Sequence, residues 1–202
     1  MITQEPEFQK LYIPLHFHHP QFRSLEMHIL VSRPSQLTSS PPLTRPHQVT
    51  NDDGPPSQLS SPYVHSLISE LQAAGETVSV CVPHTQKSWT GKSHIAHTIA
   101  KPTYFRPGTL HKDDGLTYTR PKNDGGEEWI LIDGTPATCV QIGLYHYFQE
   151  KGPIDLIISG PNYGRNSTTV FALSSGTLGA ALEGACVTTI LLMTRSHTPR
   201  TN

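Results

Sequence analysis

Val49-Thr50-Asn51-Asp52-Asp53-Gly54-Pro55 sets two adjacent carboxylates just before a glycine–proline turn. Neighbouring aspartates repel, and a hard cation such as Mg²⁺ or Mn²⁺ relieves the repulsion through oxygen ligation. The same residues also make a solvated Asx turn that needs no metal. Three later segments carry compatible groups: Gln86-Lys87-Ser88, Ser159-Gly160-Pro161-Asn162 and Ser174-Ser175-Gly176-Thr177. Asp52, Asp53, the Ser88 hydroxyl and the Asn162 amide oxygen would form an oxygen-only donor set, with positions left for water and substrate. Backbone N–H groups around Gly160 and Gly164, and at the helix start near Gly176, could cradle an anion. Asn166 and Thr177 could donate to its oxygens, and Lys87 and Lys92 add positive charge. A cation beside an anion cradle points to metal-assisted hydrolysis of a phosphate ester, the cation polarising the phosphoryl oxygen and acidifying a water. Taken singly, a glycine-rich loop is a turn, and Ser-Gly-Thr before a helix is an N-cap.

The elements around these segments must bring them together. Short apolar strands are expected at 28–31, 77–82, 129–132 and 154–158, with one more at 187–193. A helix opens at Ser61-Pro62, carries Val64, Leu67, Ile68 and Leu71 on one face, and ends at Gly75. A second follows Asp133-Gly134-Thr135-Pro136, bears Val140, Leu144, Tyr147 and Phe148, and breaks at Gly152-Pro153. A third follows Thr177 with Leu178, Ala181, Leu182 and Ala185 on its apolar side. Residues 84–93 and 107–128 read as loops, 159–166 as a glycine-rich loop, and 95–105 as one or two strands. Strands alternating with helices imply a parallel sheet covered on both faces. Right-handed crossovers put every strand-to-helix loop at one sheet edge, where ligands bind such sheets. The four polar segments fall in those loops.

Composition narrows the classes. The net charge of -1 gives no field to recruit a nucleic acid polymer or an anionic membrane. No apolar run is long enough to span a bilayer, and no signal peptide is evident. Cys81, Cys139 and Cys186 make no CxxC pair, which fits a reducing, cytoplasmic setting. The chain has 12 histidines but no HExxH, and His16-Phe17-His18-His19 is read as incidental. Gly91-Lys92-Ser93 looks like the end of a P-loop, but Gln86 stands where its first glycine belongs. Asp113-Asp114-Gly115 reads as a turn, and the Asn166-Ser167-Thr168 sequon carries little weight without an export signal. The absence of GxGxxG argues against a dehydrogenase or methyltransferase.

In combination and in this order, these segments resemble the SurE family of survival-protein E phosphatases and nucleotidases, most closely its fungal branch. The resemblance rests on Asn51-Asp52-Asp53-Gly54, Gln86-Lys87-Ser88, Asp133-Gly134-Thr135-Pro136, Ser159-Gly160-Pro161-Asn162, and Ser175-Gly176-Thr177 with Gly179-Ala180-Ala181. It implies a Rossmann-like α/β fold, mostly parallel, with helices on both faces. It further implies a divalent-metal phosphomonoesterase acting on nucleoside monophosphates (a 5'/3'-nucleotidase) or on generic phosphate esters in the manner of an acid phosphatase. Metal ligands fall on Asp52, Asp53, Ser88 and Asn162, and phosphate contacts on Asn166, Ser175, Gly176 and Thr177. Asp52 and Asp53 are the catalytic pair, with water expected as the attacking group. The alternative is an impaired remnant that binds nucleotide or a partner without turnover.

Three departures from the family pattern shape the expected organisation. Residues 32–49, rich in Pro, Ser and Thr, interrupt a strand that would otherwise run Met27-His28-Ile29-Leu30-Val31-Thr50-Asn51-Asp52-Asp53. They read as a disordered insert, and codons at its two ends could spell splice junctions, so a translated intron is the expected origin. Second, the pattern stops soon after Val187, whereas relatives usually continue into an arm used for homo-oligomer formation. An exposed sheet edge is expected there. Third, residues 1–26 read as an unstructured leader, 27–193 as the phosphatase domain and 194–202 as a disordered tail.

Overall fold

Thr77-Val78-Ser79-Val80-Cys81-Val82-Pro83 is uncharged and rich in β-branched residues. It forms a strand that is buried from Ser79 onward, as the centre of a helix-covered parallel sheet requires. The computed structural model describes residues 9–10, 26–31, 46–154, 156–164, 166, 168–186 and 190–195. Nine strands are present among them: β1 (Gln9–Lys10), β2 (Glu26–Val31), β3 (Pro46–Thr50), β4 (Thr77–Pro83), β5 (Pro102–Arg106), β6 (Leu116–Tyr118), β7 (Trp129–Ile132), β8 (Leu156–Asn162) and β9 (Ile190–Arg195). Helices are α1 (Val64–Ala73), α2 (Pro136–Ile142), α3 (Thr169–Ser174) and α4 (Gly176–Cys186). The strands form one sheet in the order β1-β2-β9-β8-β3-β4-β7-β5-β6. From β9 to β7 the pairings are parallel, and the flanking strands on both sides run antiparallel. The expected α/β architecture is therefore present. Among the described residues no helix is long and apolar enough to cross a membrane.

The period of two along each strand divides the core. Val49, Val80, Val82, Trp129, Leu131 and Ile158 pack with Val64, Leu67, Ile68 and Leu71 of α1. Their strand neighbours Cys81, Ile130 and Ile132 pack on the other face with Cys139 of α2 and with Phe148. Ile157 joins Val140, Ala180 and Ala181 beneath α2 and α4. Cys81 and Cys139 are free and buried, and Cys186 is exposed. Burial foremost, and then Cys81, pushes the Cys139 thiol well above its ordinary value.

Several elements differ from expectation. The strand that delivers Asp52 is β3, which is contiguous with the acidic pair, whereas the 28–31 strand lies within β2 and pairs antiparallel with β9. Residues 46–49 of the expected insert are thus ordered strand between β4 and β8, and 32–45 lie outside the described residues. In the expected leader, Gln9–Lys10 pairs with β2. Strand β9 runs to Arg195 and is covered by β2, so it is not the exposed edge foreseen near the end of the pattern. The rest of the expected tail, 196–202, lies outside the described residues. Helix α1 starts at Val64 with no side-chain cap, because the Ser61 hydroxyl accepts from Asn51 instead. Strand β8 continues through Ser159-Gly160-Pro161-Asn162, part of what reads as a loop, because Ser159 and Asn162 both pair with β9. A short helix, α3, was not anticipated, nor was strand β6 within 107–128.

Candidate active site

The loop after β3 is built by Asn51. Its Nδ2 donates to the Gly54 carbonyl (3.0 Å) and to Ser61 Oγ (3.1 Å), and its Oδ1 accepts from the Gly54 N–H (2.9 Å). Gly54 sits at φ +88°, and a Cβ there would lie 3.3 Å from the Pro83 carbonyl oxygen. Only glycine takes that conformation without strain. The Lys87 N–H donates to the Asp52 carbonyl (2.7 Å), tying the loop after β4 to the loop after β3. These ties bury both carboxylates, leaving Asp52 3% and Asp53 2% exposed.

Each carboxylate has its own partners. Asp52 Oδ1 accepts from Thr177 Oγ1 at 2.6 Å, and the same hydroxyl lies 3.1 Å from Asn162 Oδ1. Helix α4 can approach this closely because residue 176 is glycine, where a Cβ would sit 2.6 Å from Asp52 Cβ. Asp53 Oδ2 accepts from the Tyr163 N–H (2.7 Å), and its Oδ1 from Gln86 Nε2 (3.3 Å). Burial raises the Asp52 pKa against the pull of its hydrogen bonds to Thr177. Burial first, and then repulsion from Asp52, pushes Asp53 up to about 7.

A cavity of about 220 Å³ opens above Asp52 at the carboxyl ends of β3, β4 and β8. Asp52, Ser88, Asn162, Asn166 and Ser175 line it, together with Trp89, Tyr163, Gly164, Phe171 and Ser174. The structure thus gathers most of the expected site residues. Asp53 and Gly176 stand beside the cavity rather than in its lining, and the Thr177 hydroxyl is turned onto Asp52. Ser175 Oγ accepts from Asn166 Nδ2 (2.9 Å) and from the Leu178 N–H (3.2 Å), which caps the first turn of α4. The expected positive charges are engaged elsewhere: Lys87 Nζ lies 3.9 Å from Asp133, and Lys92 Nζ lies 2.7 Å from Glu183. Asp114 closes a local loop by accepting from the Thr109 N–H (2.7 Å), whereas Asp113 accepts from the Gln58 N–H (2.7 Å) and ties two loops that are distant in sequence. Gln86, Tyr163 and the aromatic pair Trp89–Phe171 went unforeseen. Gln86 was legible only as part of a motif, and nothing in the residue pattern marked Trp89.

The donor chemistry fits a hard cation. Among the described residues no group of three or more His, Cys, Asp and Glu side chains comes together, so no nitrogen- or sulfur-rich centre is assembled. What converges instead is a carboxylate, a hydroxyl and an amide oxygen, with a second buried carboxylate behind them whose charge burial opposes. A divalent cation is the natural compensation.

The family model described as "Survival protein SurE" matches residues 48–190. The chain is 40% identical over 158 residues to the "Probable tubulin--tyrosine ligase PBY1" of Saccharomyces cerevisiae, covering 67% of this chain and 20% of that protein. It is 35% identical over 138 residues to the "5'-nucleotidase SurE" of Rhodopirellula baltica, covering 68% of this chain and 45% of the relative. A solved structure, the SurE protein of Aquifex aeolicus, is 29% identical with a TM-score of 0.48, covering 69% of this chain and 46% of that one. The chain therefore spans less than half the length of these relatives. The stretch from Gln48 to Ile190, which holds the end of β3, the Asp52–Asp53 pair, Ser88, Asn162 and α4, makes this chain a member of the SurE family.

Proposed function

We propose that this chain carries the catalytic segment of a divalent-metal phosphomonoesterase that hydrolyses nucleoside monophosphates or simpler phosphate esters. The observation that carries the reading is the buried, adjacent pair Asp52–Asp53 at a cavity shared with Ser88 and Asn162. The nucleotidase names of the prokaryotic relatives support the same reading. Asp52, Asp53, Ser88 and Asn162 would hold Mg²⁺ or Mn²⁺, which supplies Lewis-acid polarisation of the phosphoryl oxygen when bound. Thr177 orients Asp52, while the Tyr163 N–H and Gln86 fix Asp53. Asn166 and Ser175, hydrogen-bonded to each other (2.9 Å) in the cavity lining, would meet the incoming phosphate there. Water is the attacking group, and the acidic pair positions rather than attacks.

The test is hydrolysis of p-nitrophenyl phosphate and nucleoside monophosphates with Mg²⁺ or Mn²⁺, before and after EDTA. Metal-dependent release of phosphate supports the reading, and turnover that ignores chelation overturns the metal assignment. A second reading, nucleotide binding without turnover, is favoured by one observation. Strand β3, which must place Asp52, buries His47 and Gln48 in the sheet centre, and among the described residues Gln48 Oε1 has no hydrogen-bond partner. Nucleotide binding without phosphate release would select that reading.

A further inference from the structure

The cavity above Asp52 has a polar floor and an aromatic rim. Trp89 follows Ser88 directly and is held at φ +67°, a conformation that bulky residues seldom take. An outlier of this kind beside a candidate ligand is a reason to look for a use. The indole is 65% exposed, an unusual position for so large an apolar group. It stands nearly perpendicular to the Phe171 ring, with centroids 5.3 Å apart. The Gly91 N–H donates to the Ser174 carbonyl (2.8 Å), fixing the Trp89 loop to the end of the helix that carries Phe171. Tyr163, 41% exposed, shares the rim and is braced edge-on by Tyr63 with centroids 6.0 Å apart. The two lysines of the Trp89 loop pair with Asp133 and Glu183, so near Trp89 the rim presents π-faces rather than charge.

Resting on the proposed phosphatase reading, we infer that Trp89, with Tyr163, is the platform that selects leaving groups bearing a flat, uncharged ring, nucleobases above all. The phosphate enters toward Asp52, Ser88 and Asn162, and the ring stacks on the rim. A leaving group with no ring gains nothing there. A base stacked on an aromatic side chain is worth roughly a tenfold gain in binding or more.

The chain has two tryptophans, and Trp129 is only 1% exposed, so ligand-dependent quenching of emission reports on Trp89. AMP is expected to quench this emission and glycerol 3-phosphate to leave it, with Trp89→Phe abolishing the response. In kinetics, Trp89→Ala is expected to raise KM for AMP about tenfold more than KM for glycerol 3-phosphate, and Trp89→Phe to restore most of the discrimination. Equal losses on both esters, or no quenching by AMP, overturn the platform. Quenching by AMP without hydrolysis of either ester upholds the platform while the phosphatase reading fails. Dissociation of an oligomer on Trp89→Ala, seen by sedimentation, overturns the platform and assigns the rim to contact between copies of the chain.

Discussion

Two carboxylates side by side in the chain and nearly sealed from solvent cannot both ionise cheaply. In the metal-free protein Asp53 is pushed from 3.8 up to about 7, with burial the larger cause and Asp52 the lesser. The sign follows from linkage: between those values the native state holds a proton that the unfolded chain has released. Stability of the metal-free protein should therefore fall as pH rises from about 4 to about 7 and level off above that. On the proposed metal reading, cation uptake expels the same proton, so Mn²⁺ affinity should climb over the same range and then flatten. Asp53→Asn removes the buried charge. It is expected to raise the melting temperature at pH 8 without metal, to weaken the pH dependence to what Asp52 still contributes, and to cut turnover about a hundredfold or more. Thermal melts in EDTA and Mn²⁺ titrations from pH 5 to 8 check all three. A lower melting temperature for Asp53→Asn would make the pair a structural device.

The loop that carries Ser88 has no strand or helix of its own and is held by its surroundings. Gly91 lies against Gly179 of α4 so closely that a Cβ at Gly179 would clash with the Gly91 carbonyl oxygen. One turn further along α4, Glu183 takes Lys92 (2.7 Å) and His94 (3.4 Å) from the loop and Gln141 from α2. Burial opposes the Glu183 charge, yet the hydrogen bonds from Lys92 and Gln141 hold its pKa below the ordinary value. Glu183→Gln keeps the volume but loses the charge, and should cost about 1–3 kcal/mol in denaturant melts and lower kcat as Ser88 loosens. Strand β3 shows the opposite economy. Gln48 is fully buried and donates to the Cys139 carbonyl (3.0 Å), while its Oε1 goes unmatched among the described residues. Gln48→Leu should leave stability within about 1 kcal/mol of the parent, because relief at Oε1 offsets the lost bond to the Cys139 carbonyl, read from the same melts. This strand also marks what could be read beforehand. Strands β4 and β7 announce themselves by β-branched and aliphatic runs, and α2 by its Thr135 cap and Pro136. Pro46-His47-Gln48 announces nothing, because only pairing between β4 and β8 makes it a strand. Convergence of Asp52, Ser88 and Asn162 was legible from topology, since all three follow or end parallel strands. Trp89 was not, because its place depends on a backbone angle that residue types do not encode.

At the scale of the molecule, five parallel strands form the middle of the sheet, and among the described residues the outermost strands β1 and β6 are two and three residues long. At the β6 end of the sheet, a three-residue strand offers little template for edge-to-edge pairing with a neighbouring chain. The interior behind them stores a chemical clock. Cys81 and Cys139 face each other between β4 and α2, whereas Cys186 at the end of α4 meets solvent. Iodoacetamide should modify Cys186 promptly and reach the other two only when the sheet parts from α2, so peptide mass spectrometry over time would record how often that separation happens. AMP with Mn²⁺ should slow the late modifications and spare the early one, since a ligand bound only by the closed form makes opening rarer. A Cys81 alkylated as fast as Cys186 would mean that this hemisphere breathes independently of the rest.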